Sequence, residues 1–166
     1  MRNTYTIVLV FSILPSMFSC SSNVSGTRVT PLVHAHAHND YSHDRPLYDA
    51  LDCGFNSVEA DVFLVEDDLY VAHDRRDITP DRTLRGLYLD PLRERIKHNS
   101  GRVFRNGPQF ILLIDLKTSA VETYRTLDKM LAEYRDIFTS FGPSGRRLLQ
   151  GRLRRKIYRP GFRVFR

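Results

Sequence analysis

The chain contains no tryptophan, and it has only two cysteines and three methionines among its 166 residues. Cys20 and Cys53 lie in different surroundings, which argues against a disulfide framework and against a zinc site built on paired cysteines. The apolar stretch nearest the N-terminus, Ile7–Leu14, is too short to favour a membrane-spanning helix. With 42% apolar residues, the chain nevertheless has enough hydrophobic content for one packed domain.

Residues 1–20 have the pattern of an export signal, with a positive charge at Arg2, the apolar stretch Ile7–Leu14 and Cys20 at the end. A cysteine here, followed by polar residues, resembles a bacterial lipoprotein signal, in which the cysteine is lipidated and becomes the mature N-terminus. Ordinary secretion is the alternative. We therefore expect an exported protein, secreted or anchored to a membrane through Cys20, with a tether over residues 21–31.

Acidic residues are absent between Ser144 and Arg166, a segment that holds eight arginines and one lysine. The formal charge of +6 belongs to this tail, because the rest of the chain has sixteen basic and nineteen acidic residues, a net of −3. One interpretation makes residues 144–166 a basic arm for anionic lipid or nucleic acid. Since an exported protein rarely needs a nucleic-acid arm, we expect no nucleic-acid partner. The other interpretation is a change of reading frame near Gly145.

Apolar and polar residues alternate over 32–38, 57–65 and 69–73, which predicts three strands, the last two joined as a hairpin. The continuous apolar run Phe110–Leu116 predicts a strand buried on both faces, as in a parallel sheet covered by helices.

Helical spacing and cap residues predict helices between Pro46 and Gly54, over Leu92–His98 and over Ser119–Phe138. In the last of these, we expect one apolar stripe to face the core, made of Val121, Tyr124, Leu127, Leu131, Tyr134 and Phe138.

Strands and helices therefore alternate, and the predicted fold class is α/β. A complete (β/α)8 barrel needs about 250 residues, whereas about three β/α units fit into residues 32–143. We expect the N-terminal portion of a TIM-like barrel, followed by the basic tail.

Carboxylates recur at the ends of two predicted strands. Glu59 and Asp61 share one strand face with Cα atoms about 6.5 Å apart, so both can reach one divalent cation. A solvent-facing strand edge would need no metal, but the apolar neighbours of the two acids imply a covered strand. Asp115 and Lys117 repeat the spacing. They form either a structural ion pair, or a third metal ligand with a lysine near a substrate phosphate.

Histidines accompany these acids. His36 and His38 form an HxH pair that could hold zinc in a metal-dependent hydrolase, and surface histidines without function are the alternative. His73 follows another predicted strand, and it becomes a stronger site candidate because Glu59 and Asp61 lie upstream of it. Because histidines move protons near neutral pH and carboxylates bind divalent cations, the combination suggests phosphodiester chemistry.

Five short motifs carry a resemblance to a known family. They are HNDY at 38–41, SVEADV at 57–62, VAHD at 71–74, LYLDPL at 87–92 and IDLK at 114–117. Together they resemble the phospholipase-C-like phosphodiesterase superfamily. Within it the chain is most similar to glycerophosphodiester phosphodiesterase-like proteins, especially the altered-inheritance-of-mitochondria branch, over about Leu32–Phe141.

The resemblance implies a TIM-like barrel in which two histidines perform acid/base catalysis around a divalent metal, Mg²⁺ or Ca²⁺. It implies His38 and His73 as the catalytic pair, with His36 as the alternative to His38. The implied metal ligands are Glu59, Asp61 and Asp115.

The family's common His-Arg-Gly start is replaced here by His38-Asn39-Asp40, so Lys117 and Asn39 are the candidates for contact with the substrate phosphate. The implied partner is a small phosphodiester or a lipid head group. Two other hypotheses stay open, a zinc-dependent hydrolase that uses the HxH pair and a non-catalytic lipoprotein fragment.

Overall fold

The computed structural model of the chain describes residues 29–141, 147–149 and 153–158. The predicted signal segment and Cys20 lie outside the described residues, as does the tether up to residue 28. The described strands are β1 (Leu32–Ala37), β2 (Phe55–Val65), β3 (Asp68–Val71), β4 (Phe110–Leu116), β5 (Phe138–Phe141), β6 (Arg147–Leu149) and β7 (Leu153–Tyr158). The described helices are α1 (Tyr48–Asp52), α2 (Asp90–His98) and α3 (Ala120–Ala132), with 3₁₀ turns at Asp40–Ser42 and Arg75–Asp77 and a π-helical turn at Arg85–Leu89.

Three parallel strands form the part of the sheet that holds the candidate site. β2 lies between β1 and β4 and is parallel to both. β3 pairs with the C-terminal half of β2 as an antiparallel hairpin, from Val62 opposite Val71 to Val65 opposite Asp68. The α/β class, the predicted strands and the hairpin are therefore confirmed.

The fourth position in the sheet departs from chain order. β7 pairs with β4 on one side and with β5 on the other, so the strand order is β1-β2-β4-β7-β5-β6. Neighbouring strands of a (β/α)8 barrel follow one another along the chain. β1, β2 and β4 do so apart from the hairpin strand β3, whereas β5 and β6 come between β4 and β7. β7 also lies in the predicted basic tail, so part of that tail joins the sheet.

The two faces of β4 differ in burial. Phe110, Leu112 and Ile114 are fully buried against the helices, while Ile111 and Leu113 on the other face are only partly covered. The prediction of burial on both faces was therefore wrong. A continuous apolar run cannot tell one covered face from two, because both faces carry the same residue types.

Helices α1 and α2 end where the sequence predicted. Gly54 follows α1 with a φ of +84°, and a Cβ atom at this position would come within 2.6 Å of the Thr30 carbonyl oxygen. Glycine alone meets both demands. Gly101 closes α2 by donating its N–H to the Ile96 carbonyl at 2.7 Å. None of the described helices is long and apolar enough to cross a membrane.

The third predicted helix is shorter than expected, because α3 ends at Ala132 and Phe138 begins β5. After Ala132 the backbone forms tighter turns, and Tyr134 is held by a 2.5 Å hydrogen bond to Asp90 and by Arg93 above its ring.

The stripe of α3 that faces the core also differs from the prediction. The predicted Leu127 and Leu131 are buried, but Thr123 and Met130 are buried beside them, whereas Val121 and Tyr124 are exposed. Thr123 faces inward because its hydroxyl donates to the Ser119 carbonyl and contacts Thr118. A threonine that satisfies its own hydroxyl in this way does not register as apolar in a sequence pattern.

Candidate active site

The register of β2 and β4 brings the three predicted carboxylates onto one face of the sheet. Asp61 and Asp115 are directly opposite one another, and Glu59 lies one position back along the same face, opposite Leu113. Asp61 is only 1% exposed and Glu59 9%. Their apolar neighbours in the sequence had predicted this covered strand.

The ammonium of Lys117 offsets part of this negative charge. Its Nζ lies 2.8 Å from Asp115 Oδ2 and 2.9 Å from Asp61 Oδ2, so one ammonium bridges two strands. Partial burial tends to lower the pKa of Lys117, but the hydrogen bonds to Asp115 and Asp61 outweigh it, and the net pKa is raised. Lys117 therefore stays protonated, in the ion-pair geometry that was one of its two predicted roles.

The carboxylates keep unused acceptor capacity. Asp61 Oδ1 and Asp115 Oδ1 are buried and have no hydrogen-bond donor among the described residues. Three formal negative charges face one ammonium, which leaves an excess of two. Buried, unpaired carboxylate oxygens are the kind of ligand that hard cations such as Mg²⁺ and Ca²⁺ take, so the chemistry of this donor set fits such an ion.

The side chains are not gathered around a single point, however. Within the described residues, no group of three or more His, Cys, Asp and Glu side chains is close enough together to hold a metal ion. The bridging ammonium of Lys117 lies between two of the predicted ligands, and this is where a cation and the lysine would compete.

The two histidines of the HxH pair have different partners. His38 follows β1, and its Nε2 lies 3.4 Å from Glu59 Oε2, which also accepts the Asn39 backbone N–H at 3.1 Å. His36 is exposed on β1 and contacts the Ser57 hydroxyl at 2.8 Å through Nδ1. The structure therefore brings His38, but not His36, to the carboxylates.

Tyr41 connects the second histidine to the cluster. Its hydroxyl oxygen lies 2.7 Å from Asp61 Oδ2, 3.1 Å from His73 Nδ1 and 2.8 Å from Asn39 Oδ1. Burial raises the pKa of Tyr41, and the hydrogen bond to Asp61 raises it further. The hydroxyl is therefore neutral and keeps its proton.

Sequence reasoning missed this tyrosine as a site residue. The available signal was its position in the HNDY motif at the end of a predicted strand.

A second buried tyrosine–aspartate pair supports the loop that carries Tyr41. Asp40 is fully buried, and its Oδ2 accepts the Tyr88 hydroxyl at 2.9 Å and the Leu47 backbone N–H at 2.6 Å. Burial raises the pKa of Asp40, and these two hydrogen bonds only partly offset that effect. Arg82 holds the same loop from outside by donating to the Tyr41 carbonyl.

An open cavity of about 410 Å³ adjoins the exposed ring of His73. It is lined by both acidic and basic side chains as well as by Tyr41. The lining residues are Tyr41, Ser42, His43, Asp44, Ala72, His73, Asp77 and Arg82. A small organic group can therefore approach His73 from this side.

Residues 25–142 match the family model of the AIM6-like phosphodiesterase domain. The chain belongs to this family. The matched range contains every predicted site residue except Cys20, and the resemblance drawn from the five motifs is confirmed. None of the known solved structures matches the chain.

Several curated fungal proteins are similar to the chain. It is 36% identical over 129 residues to the altered inheritance of mitochondria protein 6 homolog of Arthroderma benhamiae. This alignment covers 66% of this chain and 41% of that protein. It is 46% identical over 84 residues to altered inheritance of mitochondria protein 6 of Kluyveromyces lactis, covering 49% of this chain and 19% of that protein. The chain thus spans about two fifths or less of the length of these relatives.

Proposed function

We propose that the chain is a metal-dependent phosphodiester hydrolase that works by two-histidine acid/base catalysis. Membership of a phosphodiesterase family supports the reaction class. The observation that carries the mechanism is the convergence of His38 and His73 on the carboxylates of β2 and β4. His38 approaches Glu59, and His73 approaches Asp61 at 3.7 Å and through Tyr41.

In this proposal Glu59, Asp61 and Asp115 hold Mg²⁺ or Ca²⁺. When bound, the cation polarises the phosphoryl oxygens and offsets the charge that develops on them. The unpaired oxygens of Asp61 and Asp115 are the first ligands we propose, because they are buried and no described residue donates to them.

Lys117 and Asn39 are the proposed contacts of the substrate phosphate. Lys117 keeps its proton at neutral pH, so it offers a positive charge to an anionic group. Asn39 has a left-handed backbone, and its side-chain amide contacts the Tyr41 hydroxyl at 2.8 Å.

The two histidines divide the proton transfers. One removes a proton from the attacking hydroxyl or water, and the other gives a proton to the leaving alkoxide. Each histidine must therefore change its protonation state during the cycle, and we expect a bell-shaped dependence of rate on pH.

The test compares three histidine variants of the full chain. Bis(p-nitrophenyl) phosphate serves as a chromogenic diester, with Mg²⁺ or Ca²⁺ added. We expect His38→Ala and His73→Ala to lower kcat/KM by about 10²–10⁴-fold. His36→Ala, matched in residue type but placed beside the Ser57 hydroxyl and away from the carboxylates, should change it less than about threefold. Full metal-dependent hydrolysis by His73→Ala would refute the mechanism.

A double replacement of His36 and His38 tests the zinc alternative. A zinc enzyme built on the HxH pair would lose tight zinc binding when His36 and His38 are replaced together, and would depend little on Glu59. His36 and His38 contact different partners, Ser57 and Glu59, so no observation in the structure favours that alternative. A chain that hydrolyses no diester under any of these conditions would favour the non-catalytic fragment.

We also propose that the substrate is a small phosphodiester or a lipid head group, and that the protein is exported with Cys20 lipidated. The sequence pattern of residues 1–20 is the support for the second part. Incorporation of labelled palmitate by the wild-type chain and its loss in Cys20→Ser would test it. Equal labelling of both chains would contradict it.

A further inference from the structure

The hydroxyl of Tyr41 has three polar neighbours but only one proton to donate. Asp61 Oδ2, His73 Nδ1 and Asn39 Oδ1 all lie within 3.1 Å of it. A phenol donates one hydrogen bond only and accepts the rest. The three contacts therefore cannot all be donations by Tyr41, and the arrangement of the hydrogens must be worked out from the partners.

Asp61 takes the tyrosine proton. Its carboxylate can only accept, the contact is the shortest of the three at 2.7 Å, and a hydrogen bond to an ionised acceptor is the strongest kind available here. Asn39 fits beside it when its amide NH₂ group, rather than its oxygen, faces Tyr41, since the two ends of an amide differ little in shape. The phenol oxygen is then an acceptor toward His73.

An acceptor opposite Nδ1 fixes the tautomer of the ring. A neutral histidine has one N–H, and a ring nitrogen that faces an acceptor carries it. The proton on His73 therefore belongs on Nδ1, which leaves Nε2 with the free lone pair. The side chain of His73 is 61% exposed and lines the open cavity of about 410 Å³, so the ring is accessible from solution.

We propose that Tyr41 is a positioning residue that holds His73 in the Nδ1–H tautomer and makes Nε2 the nitrogen that exchanges protons with the substrate. The role of His73 in proton exchange rests on the proposed function. The tautomer does not, because it follows from three contacts of one buried hydroxyl. Tyr41 acts through His73 and need not touch the substrate.

The variants separate this role from simple packing. Tyr41 is 3% exposed and belongs to the hydrophobic core, and Tyr41→Phe keeps the ring while removing the hydroxyl. Tyr88→Phe is the matched control. It removes another buried tyrosine hydroxyl, which donates to Asp40 instead of contacting a histidine.

The readout is the nitrogen NMR spectrum of the histidine rings in the full chain, labelled with ¹⁵N-histidine and held at a pH where His73 is neutral. The chain has six histidines, and the signals of His73 are those missing from His73→Gln. We expect a protonated Nδ1 and an unprotonated Nε2 in the wild type and in Tyr88→Phe. In Tyr41→Phe we expect a shift toward the Nε2–H form.

Two NMR results would overturn the inference. The first is a wild-type His73 that carries its proton on Nε2. The second is a tautomer ratio that Tyr41→Phe leaves unchanged.

Kinetics with the chromogenic diester supply the second readout. Loss of an orienting hydrogen bond of this kind lowers activity by about 10–100-fold, and we expect this in kcat rather than in KM. Adding Tyr41→Phe to His73→Gln should cause a smaller loss than Tyr41→Phe causes alone, because the part of its effect that passes through the His73 ring is already gone; the bond to Asp61 accounts for the remainder. A full additional loss in the double variant would overturn the positioning role.

The two proposals fail separately. If the chain hydrolyses no diester but the tautomer shifts as described, the proposed function fails and the structural role of Tyr41 stands. If hydrolysis depends on His73 but Tyr41→Phe leaves the tautomer ratio of His73 unchanged, this inference alone fails.

Discussion

Two tyrosine–aspartate pairs each include one residue of the loop that follows β1, and they have similar hydrogen-bond lengths but different surroundings. Tyr41 donates to Asp61 at 2.7 Å, and Tyr88 donates to Asp40 at 2.9 Å. Both aspartates are buried, and each has one oxygen without a donor among the described residues.

Charge and access distinguish the pairs. Asp61 has an ammonium partner in Lys117 and adjoins an exposed histidine. Asp40 is sealed in the core, and its donors are the neutral Tyr88 hydroxyl and the Leu47 amide. The same two residue types therefore form part of a candidate site in one place and a structural support in the other. What differs is that the Asp61 carboxylate has a charged partner and an exposed histidine beside it, whereas Asp40 has neutral donors.

Replacing each aspartate by asparagine should show the largest difference between the two pairs. Asp61→Asn removes the charge that faces Lys117 and the proposed cation, and we expect kcat/KM to fall by about 10³-fold, which is about 4 kcal/mol. Asp40→Asn should stay within about threefold of the wild type. Steady-state hydrolysis of the chromogenic diester by both variants measures this. Equal losses would show that the two pairs do not differ in function.

Asp40 should instead be important for the stability of the fold. Asp40→Ala leaves the buried Tyr88 hydroxyl and the Leu47 N–H without their acceptor, and we expect the free energy of unfolding to fall by about 3 kcal/mol. Urea unfolding of the full chain measures this loss. Asp67→Ala in the exposed hairpin turn is the control, with an expected change below about 0.5 kcal/mol. A loss at Asp40 no larger than the control would contradict a supporting role.

The hydroxyl of Tyr88 should contribute less than its acceptor does. Tyr88→Phe keeps the fully buried ring and removes one hydrogen bond, so we expect the free energy of unfolding to fall by about 1 kcal/mol. Tyr124→Phe on the exposed face of α3 provides the comparison and should leave unfolding unchanged. If both variants behaved alike, the Tyr88–Asp40 hydrogen bond would contribute nothing measurable.

The finest difference between the pairs concerns pH. Burial raises the pKa of Asp40 above the ordinary value of 3.8, so the folded state holds this proton more tightly than the unfolded chain does. The contribution of Asp40 to stability is then greatest at acidic pH and declines as the pH rises from 3.8 through the raised pKa.

Asparagine does not titrate, so the free energy of unfolding of the wild type minus that of Asp40→Asn should fall over this range. Urea unfolding at a series of pH values measures the difference. A difference that is flat, or that rises with pH, would contradict a raised pKa.

Much of the fold follows from local pattern. Alternation predicted β2 and the hairpin to β3, since successive side chains of a strand point to opposite faces of the sheet. Gly54 marked the end of α1, because only glycine fits that turn. The end of α3 was wrong because Tyr134 and Phe138 continue the helical spacing, while contacts with Arg93 and Asp90, more than 30 residues earlier, decide the conformation there.

The candidate site was predictable in part for the same reason. Glu59 and Asp61 share a strand face by geometry, and the parallel register then adds Asp115. Tyr41 and the second bond of Lys117 depend on convergence between elements. Nothing in the spacing from 41 to 73, or from 61 to 117, indicates contact. The pairing of β7 with β4 could not be predicted from local sequence either, because strand pairing depends on the side chains of a neighbouring strand that is distant in the chain.

Leu47 illustrates how the loop after β1 is held. Its φ is +67°, a conformation that leucine rarely adopts, yet its side chain is fully buried and its amide donates to Asp40. Glycine would relieve the backbone but empty a core position, and loss of Asp40 would leave the strained amide without its acceptor. Loss of the Leu47 side chain or of the acceptor oxygen at Asp40 would therefore destabilise the turn that carries Tyr41.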